Sequence, residues 1–431
     1  MVFVRIGVPR EVAEGERRVG LVPETVSRLV GEGFEVLVET GAGWDYNLDE
    51  HYEEAGARVV GSAGEVYGEA EIVVKVAKPA EEEVGMLREG QVLICFLNGP
   101  QEPGLVERLA KRGVTVFSNE AIPRTSAAQS MDALSSMGSI AGYKSALIAA
   151  NTLGKYVPML STAAGTTKAA NVLVLGVAVA GLQAIAIMHR LGANVFAYDI
   201  RPETKEQARS LGATFIDSED ERREEEEDGW EEYEPTGWRR LMVSLGFYSF
   251  AEPPRDEYVV EGEEEEEAGG EEPEQWSREK LEADQRLVRE RIKEMDIVIT
   301  TALAPGRRAP KLVDREMVES MRAGSVIVDL AAEQGGNCEL TRAGETVKHA
   351  GVAIVGPINL PSTMPIHASQ LYARNMYNII RHITSGGEEE GIRLELDFED
   401  EIVSKMCIAH GGEIRDRLTR EALEESRSGG G

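Results

Sequence analysis

The chain has 431 residues, 42% of them hydrophobic and 28% charged, a balance that suits a water-exposed protein with more than one core. Acidic residues (76) far outnumber basic ones (46), for a formal net charge of −30. Such a surface repels phosphate backbones and anionic headgroups, which argues against nucleic acid or membrane lipid as partners. The surplus fits either adaptation to high salt, where screening weakens carboxylate self-repulsion, or one acidic insert; activity independent of molar salt would remove the first reading.

The opening residues carry no apolar run of the kind a signal peptide needs. Residues 4–8 predict a strand, 23–32 a helix and 35–39 a strand. Residues 72–76, 92–96 and 115–118 continue the strands, with a helix at 103–112. A second series lies at 172–176, 194–198, 297–300, 326–329 and 353–355. The fold class is therefore α/β, with two Rossmann-like, doubly wound parallel-sheet domains. A long helical pattern over 371–383 is expected to return the chain to the first domain. Residues 172–188 are almost wholly apolar, but their glycines and Gln183 suit a buried strand and helix better than a lipid-facing span of about 20 residues. No direct membrane insertion is expected.

From Asp217 to about Leu281 no hydrophobic period survives, and an acidic, solvated insert is expected at about 218–268. Trp230, Trp238 and the apolar patch 241–250 interrupt it, as a loosely packed surface helix or a short docking segment. Cys95, Cys338 and Cys407 match no metal-ligand spacing, so no metal site is expected and the thiols read as packing in a reducing compartment.

The run Asn171-Val-Leu-Val-Leu-Gly176-Val-Ala178-Val179-Ala-Gly181 is a strand entering a glycine turn and then a helix. Gly176 permits the tight turn, Gly181 lets the helix pack against the sheet, and the helix N-terminus offers N–H groups to a pyrophosphate. Ala178 replaces the usual middle glycine, where backbone and pyrophosphate come closest, so its methyl works against tight binding. The next strand ends in Asp199, about 23 residues after Gly176 against roughly 20 expected. A carboxylate there accepts from the ribose hydroxyls and repels a 2′-phosphate, which predicts NAD(H) over NADP(H). The nearby Arg201, which suits a 2′-phosphate, pulls the other way. A Rossmann-like domain that no longer binds nucleotide is the alternative.

Longer runs carry a family resemblance. Glu120-Ala-Ile-Pro-Arg-Thr-Ser-Ala-Ala-Gln-Ser-Met-Asp-Ala-Leu-Ser135-Ser136, followed by Ala141-Gly142-Tyr143, closely resembles the signature of the α subunit of proton-translocating NAD(P) transhydrogenases. Ile6-Gly-Val-Pro-Arg-Glu and Glu16-Arg-Arg-Val resemble the start this subunit shares with alanine dehydrogenases. Thr300-Thr-Ala-Leu303, the 324–339 run through Glu333, and Ala368-Ser-Gln-Leu-Tyr-Ala-Arg-Asn375 extend the likeness over nearly the whole chain outside the acidic insert. The resemblance implies that Arg124, Gln129, Asp132 and Ser135 form the nicotinamide site, with Arg124 and Asp132 able to pair. It adds Thr125, Ser126, Val179, Ile200, Arg201 and Leu303 to Gly176, Ala178, Gly181 and Asp199 as nucleotide contacts. The implied activity is direct hydride transfer between NADH and NADP⁺ bound on a partner subunit, coupled to proton translocation by membrane-spanning subunits.

The resemblance also implies a homodimer, cytoplasmic and peripheral at the inner face of the cell membrane. The expected organisation is an N-terminal domain over 1–134 and 363–385, an NAD(H)-binding domain over 135–362, and a polar tail over 386–431. That tail lacks a hydrophobic span, which fits a split, multi-subunit enzyme. Two departures stand out: Ala127 replaces the family's second arginine, and Gly269-Gly-Glu-Glu-Pro-Glu-Gln-Trp276 replaces its mobile Gly-Gly-Tyr-Ala-Lys-Glu-Met loop. A non-catalytic NADH-binding regulatory subunit is one alternative. Alanine dehydrogenase is the other: Arg18 and Lys75 resemble its pyruvate-binding arginine and catalytic lysine, but Asn98 stands where its catalytic histidine falls and Glu333 where it has aspartate. Asparagine supplies no base near neutral pH.

Overall fold

Strands apolar at every position need cover on both faces. They have it in the computed structural model, which describes residues 4–44, 46–201, 203–216, 278–303, 308–387 and 391–428. The first series runs β1 (Arg5–Val8), α1 (Pro23–Gly31), β2 (Glu35–Glu39), α2 (Asp49–Glu54), β3 (Arg58–Val60), α3 (Ala63–Glu69), β4 (Ile72–Val74), α4 (Glu81–Met86), β5 (Val92–Cys95), α5 (Pro103–Lys111) and β6 (Thr115–Ser118). These strands lie in the order β3-β2-β1-β4-β5-β6, all parallel. Side chains alternate across the sheet: Ile72, Val74 and Ile94 enter one core, Val73, Leu93 and Cys95 the core on the opposite face.

Helix α6 (Ala133–Thr152) then crosses between the domains. Its Ala133, Met137 and Ile140 belong to the first core, its Ala146 and Ala149 to the second. The 134/135 boundary thus falls inside its first turn. After an exposed hairpin, β7 (Leu160–Thr162) and β8 (Gly165–Thr167), come β9 (Asn171–Leu175), α7 (Val179–Arg190), β10 (Asn194–Tyr198), α8 (Thr204–Ser210) and β11 (Thr214–Phe215). Then follow α9 (Arg278–Arg291), β12 (Ile297–Thr300), α10 (Arg315–Ser320), β13 (Val326–Asp329), β14 (Thr346–His349) and β15 (Val352–Val355). The second sheet is ordered β11-β10-β9-β12-β13-β15-β14, with only β14 antiparallel. Both sheets therefore reverse direction of winding beside their first strand, where doubly wound folds open a crevice. Residues 172–188 are β9 and α7, and among the described residues no helix is long and apolar enough to cross a membrane.

The return helix is α11 (Pro365–His382), with Tyr372, Met376, Ile379 and Ile380 buried in the first core. It starts earlier than the apolar pattern because Pro365 occupies its first turn, where a missing N–H costs nothing. The expected tail over 386–431 is a correction. After a small hairpin, β16 (Thr384–Ser385) and β17 (Arg393–Leu394), come α12 (Glu401–Met406), β18 (Cys407–His410), β19 (Glu413–Ile414) and α13 (Arg417–Ser428). β18 pairs antiparallel with β6 and extends the first sheet. Its short run Cys407, Ile408, Ala409 is buried, so the segment is structural although polar on average. The acidic stretch 218–268, with Trp230, Trp238 and 241–250, lies outside the described residues, as does 269–276. All three cysteines are free and buried.

Candidate dinucleotide site

The site begins where β9 gives way to α7. Gly176 has φ +98°, and a Cβ there would lie 2.5 Å from Thr301 Oγ1 and 3.1 Å from the Ala302 nitrogen. At Gly181 a Cβ would lie 1.9 Å from the Gly176 carbonyl oxygen, so the helix presses its backbone onto the turn. Ala178 is the α7 N-cap and supplies no side-chain acceptor. The first-turn N–H groups are thereby uncapped by a side chain, as anion binding at a helix N-terminus requires. Ala178 and Val179 are both exposed on this rim, and Leu303 faces solvent from the β12 side.

Asp199 closes the turn. Its Oδ2 accepts from Val177 N–H at 2.6 Å, and its Oδ1 accepts from the Arg201 backbone N–H at 3.0 Å. The Arg201 guanidinium folds onto the same carboxylate, with Nε 3.1 Å from Oδ1. Ile200 lies between them, half-buried. Two residues missed by sequence reasoning shape the opposite wall. The Thr301 hydroxyl donates to the Gly176 carbonyl at 3.0 Å. Asn337, fully buried, accepts from Ala302 N–H at 3.1 Å and donates to the carbonyls of Ala302 (2.8 Å) and Pro310 (2.9 Å). Its position directly after the Gly335–Gly336 turn is the local signal: an amide there can copy a strand partner. Thr301 and Asn337 together fix the backbone that carries Leu303.

The second group follows β6 in a loop that ends at α6. Arg124, Ser126 and Gln129 are exposed, and Thr125 and Ser135 are half-buried. Asp132 caps α6 by accepting from the Ser135 N–H at 2.8 Å and from the Ser135 hydroxyl. Its carboxylate is thus committed to Ser135. Because the Ser135 proton is spent on Asp132, the hydroxyl oxygen is left to act as an acceptor. The two groups meet through helix packing. A Cβ on Gly142 of α6 would lie 2.1 Å from the Ala180 carbonyl of α7, and one on Gly138 would lie 3.8 Å from Val179 Cβ. Ser135 lies one turn before Gly138 on α6, the helix that packs against the start of α7.

The crevice of the first sheet is filled differently. Lys75, fully buried after β4, has its Nζ 2.7 Å from Glu83 Oε1 and 3.2 Å from Glu11 Oε2. Tyr67 donates to the same Glu83 oxygen at 2.9 Å, and Val76 N–H donates to Glu11 at 2.6 Å. Burial pushes Glu11 up to about 7 against the pull of Lys75. Burial alone would lower Lys75, but Glu11 and Glu83 hold its ammonium above the usual range. Arg18 is likewise spent. It makes a two-pronged bridge to Glu16 at 2.8 and 2.7 Å and donates to Asn359 Oδ1 at 3.0 Å. Burial would raise Glu16, yet the Arg18 hydrogen bonds hold it below the ordinary carboxylate range. Glu333 accepts from the Asn359 N–H at 3.2 Å. Asn98 sits at φ +52°.

Two family models divide the chain between them: Alanine dehydrogenase/PNT, N-terminal domain, over residues 7–141, and Alanine dehydrogenase/PNT, C-terminal domain, over residues 145–417. The chain belongs to the alanine dehydrogenase/PNT family. This family member is 40% identical over 417 residues to an NAD(P) transhydrogenase subunit alpha protein of Rhodospirillum rubrum, covering 95% of this chain and 97% of the relative. It is 30% identical over 371 residues to the alanine dehydrogenase of Bacillus subtilis, covering 84% and 80%. The solved structure of the transhydrogenase from Sinorhizobium meliloti aligns with a TM-score of 0.76 at 37% identity, covering 95% of this chain and 99% of the other.

Proposed function

We propose that the chain is the NAD(H)-binding subunit of an NAD(P) transhydrogenase and passes hydride between NADH and NADP⁺ held on a partner subunit. In this reading the second-sheet crevice takes NADH: the α7 N-terminus receives the pyrophosphate, Asp199 the adenosine ribose, and the 124–135 loop the nicotinamide end. The nicotinamide supplies the hydride when bound. The chain's own residues bind and orient. Ser135 offers an acceptor fixed by Asp132, and Arg124, Gln129, Thr125 and Ser126 line the exposed approach from which a partner would dock. Membrane-spanning subunits carry proton translocation in this proposal. The chain itself is placed as a cytoplasmic homodimer, peripheral at the inner face of the membrane.

The observation that carries the reading is the close packing of α6, whose N-terminus bears Asp132 and Ser135, against α7, which follows the glycine turn that Asp199 closes. Hydride transfer depends on alignment more than on acid–base help, and two packed helices supply alignment. Against alanine dehydrogenase stands the first crevice. A Lys75 ammonium locked between two buried carboxylates, and an Arg18 locked to Glu16, leave neither cation for an oxoacid. The regulatory-subunit alternative rests on the exposed Ala178 methyl at the pyrophosphate approach.

The test is to mix the chain with a family NADP(H)-binding subunit and follow hydride transfer from NADH to NADP⁺ at low and high KCl. Transfer above either protein alone is expected. NADH binding without transfer would sink the catalytic reading and favour the regulatory one.

A further inference from the structure

The loop that carries Arg124, Gln129 and Asp132 has little secondary structure of its own, only a 3₁₀ turn over Gln129–Met131. Something outside it must fix its geometry, because a side chain cannot be aligned better than the backbone that bears it. Two tethers from outside the loop converge on a single atom, the Ser130 carbonyl oxygen, next to Gln129. It accepts from Asn375 Nδ2 at 2.9 Å and from Asn378 Nδ2 at 2.9 Å. Both asparagines lie on α11, three residues apart and so on one helical face. Helix α11 is anchored in the first core by Tyr372, Met376 and Ile379, which makes it a rigid base for the clamp.

The chemistry at Asn375 shows that its amide is kept at a cost. The residue is 6% exposed, and its Oδ1, buried, meets no hydrogen-bond donor among the described residues. An unsatisfied buried acceptor is destabilising, and a leucine of similar size would fill the space without it. Packing therefore does not explain the amide; its Nδ2 bond to Ser130 does. We infer that Asn375, with Asn378 one turn on, is the positioning residue for the nicotinamide end of the site, acting through the Ser130 carbonyl on Gln129 and its neighbours. The hydrogen bonds of both amides run to Ser130, not to the glycine turn or Asp199, so the clamp acts on one half of the nucleotide only. The inference rests on the proposed NADH site.

The experiment compares the full-length protein with Asn375→Leu, Asn378→Ala and the double variant, using two probes. ADP reports the adenine half alone, and NADH reports both halves. The expected result is an NADH-to-ADP affinity ratio at least threefold lower in the double variant, with ADP affinity within twofold of wild type. The melting temperature of Asn375→Leu should be unchanged or higher, since the orphan acceptor is gone. Hydride transfer to a partner-bound NADP⁺ should fall at least tenfold. An unchanged ratio, or ADP and NADH affinity falling together with the melting temperature, overturns the clamp. If wild type binds NADH but transfers no hydride, the catalytic reading fails while the affinity ratio still decides the clamp. If wild type binds neither probe, both readings fall.

Discussion

Lys75 has no contact with solvent, and it stays charged because two carboxylates were buried with it. Such a cluster is held together by mutual dependence: removing one partner leaves an uncompensated charge, typically costing about 3–5 kcal/mol. Glu11 is the weak member. Its folded-state pKa of about 7 lies above the ordinary 4.5. A raised carboxyl favours the protonated folded state, so its contribution to stability is complete below about pH 4.5 and is lost as pH rises through about 7. Glu11→Gln cannot titrate. The urea midpoint of the variant relative to wild type should therefore shift in the variant's favour between about pH 5 and about pH 8. A difference that stays constant across that window would mean that Glu11 does not titrate within it. Nothing in the sequence around Lys75 announces this partnership, since Glu11 reaches it only through the pairing of β1 with β4, and Glu83 only through the packing of α4.

At the level of elements, the site depends on how closely α6 and α7 approach. Gly142 and Gly138 sit one turn apart on α6 and both face α7, but at different closeness. A Cβ on Gly142 would meet the Ala180 carbonyl at 2.1 Å, whereas one on Gly138 would find its nearest atom at 3.8 Å. Gly142→Ala should push the helices apart, costing about 1–3 kcal/mol and lowering the melting temperature by several degrees. Gly138→Ala should be neutral or stabilising by up to about 1 kcal/mol, because alanine restricts the unfolded chain. Thermal melts of the pair decide the matter; equal behaviour would mean the helices are not in backbone contact. The sequence showed parts of this arrangement and hid others. Strands 35–39, 115–118, 194–198, 297–300 and 326–329 coincide with β2, β6, β10, β12 and β13, since each has a short apolar centre bounded by polar or turn residues. α6 itself went unread as a helix: it is covered by both domains and so carries no one-sided apolar stripe. The glycine turn and Asp199 were legible because their spacing is local. Thr301, Asn337 and Asn375 were not, because each acts on a segment that only the fold brings near.

Across the whole molecule, the two sheets share the order of their first five strands but differ in how their crevices are lined. The crevice of the second is lined by a glycine turn and exposed apolar rim residues, while that of the first is closed by Glu11, Lys75, Glu83 and Tyr67. Closure turns the first sheet into a scaffold whose duty is to hold the 124–135 loop and α11 steady. That duty extends to the C-terminal segment. β18 pairs with β6, the strand that leads into the loop, and α13 packs on α5. Arg427 bridges to Glu107 at 2.6 Å, and Ile402, Val403, Met406, Cys407 and Ile408 are buried. Deleting residues 401–431 would expose that apolar surface and leave β6 as an open edge, a ready template for aggregation. Each buried aliphatic side chain is worth about 1.5–3 kcal/mol, and a domain of this size loses roughly 2–4 °C per kcal/mol. The truncated chain should therefore melt about 10 °C or more below the full chain and aggregate on heating. The second sheet, which among the described residues makes no strand pairing with the deleted segment, should keep its ADP affinity at low temperature. A truncated protein that melts within about 2 °C of the full chain would show that β18 and α13 are dispensable to the first core. Loss of ADP binding at low temperature would instead show that the two sheets fold as one unit, coupled through α6 and α11.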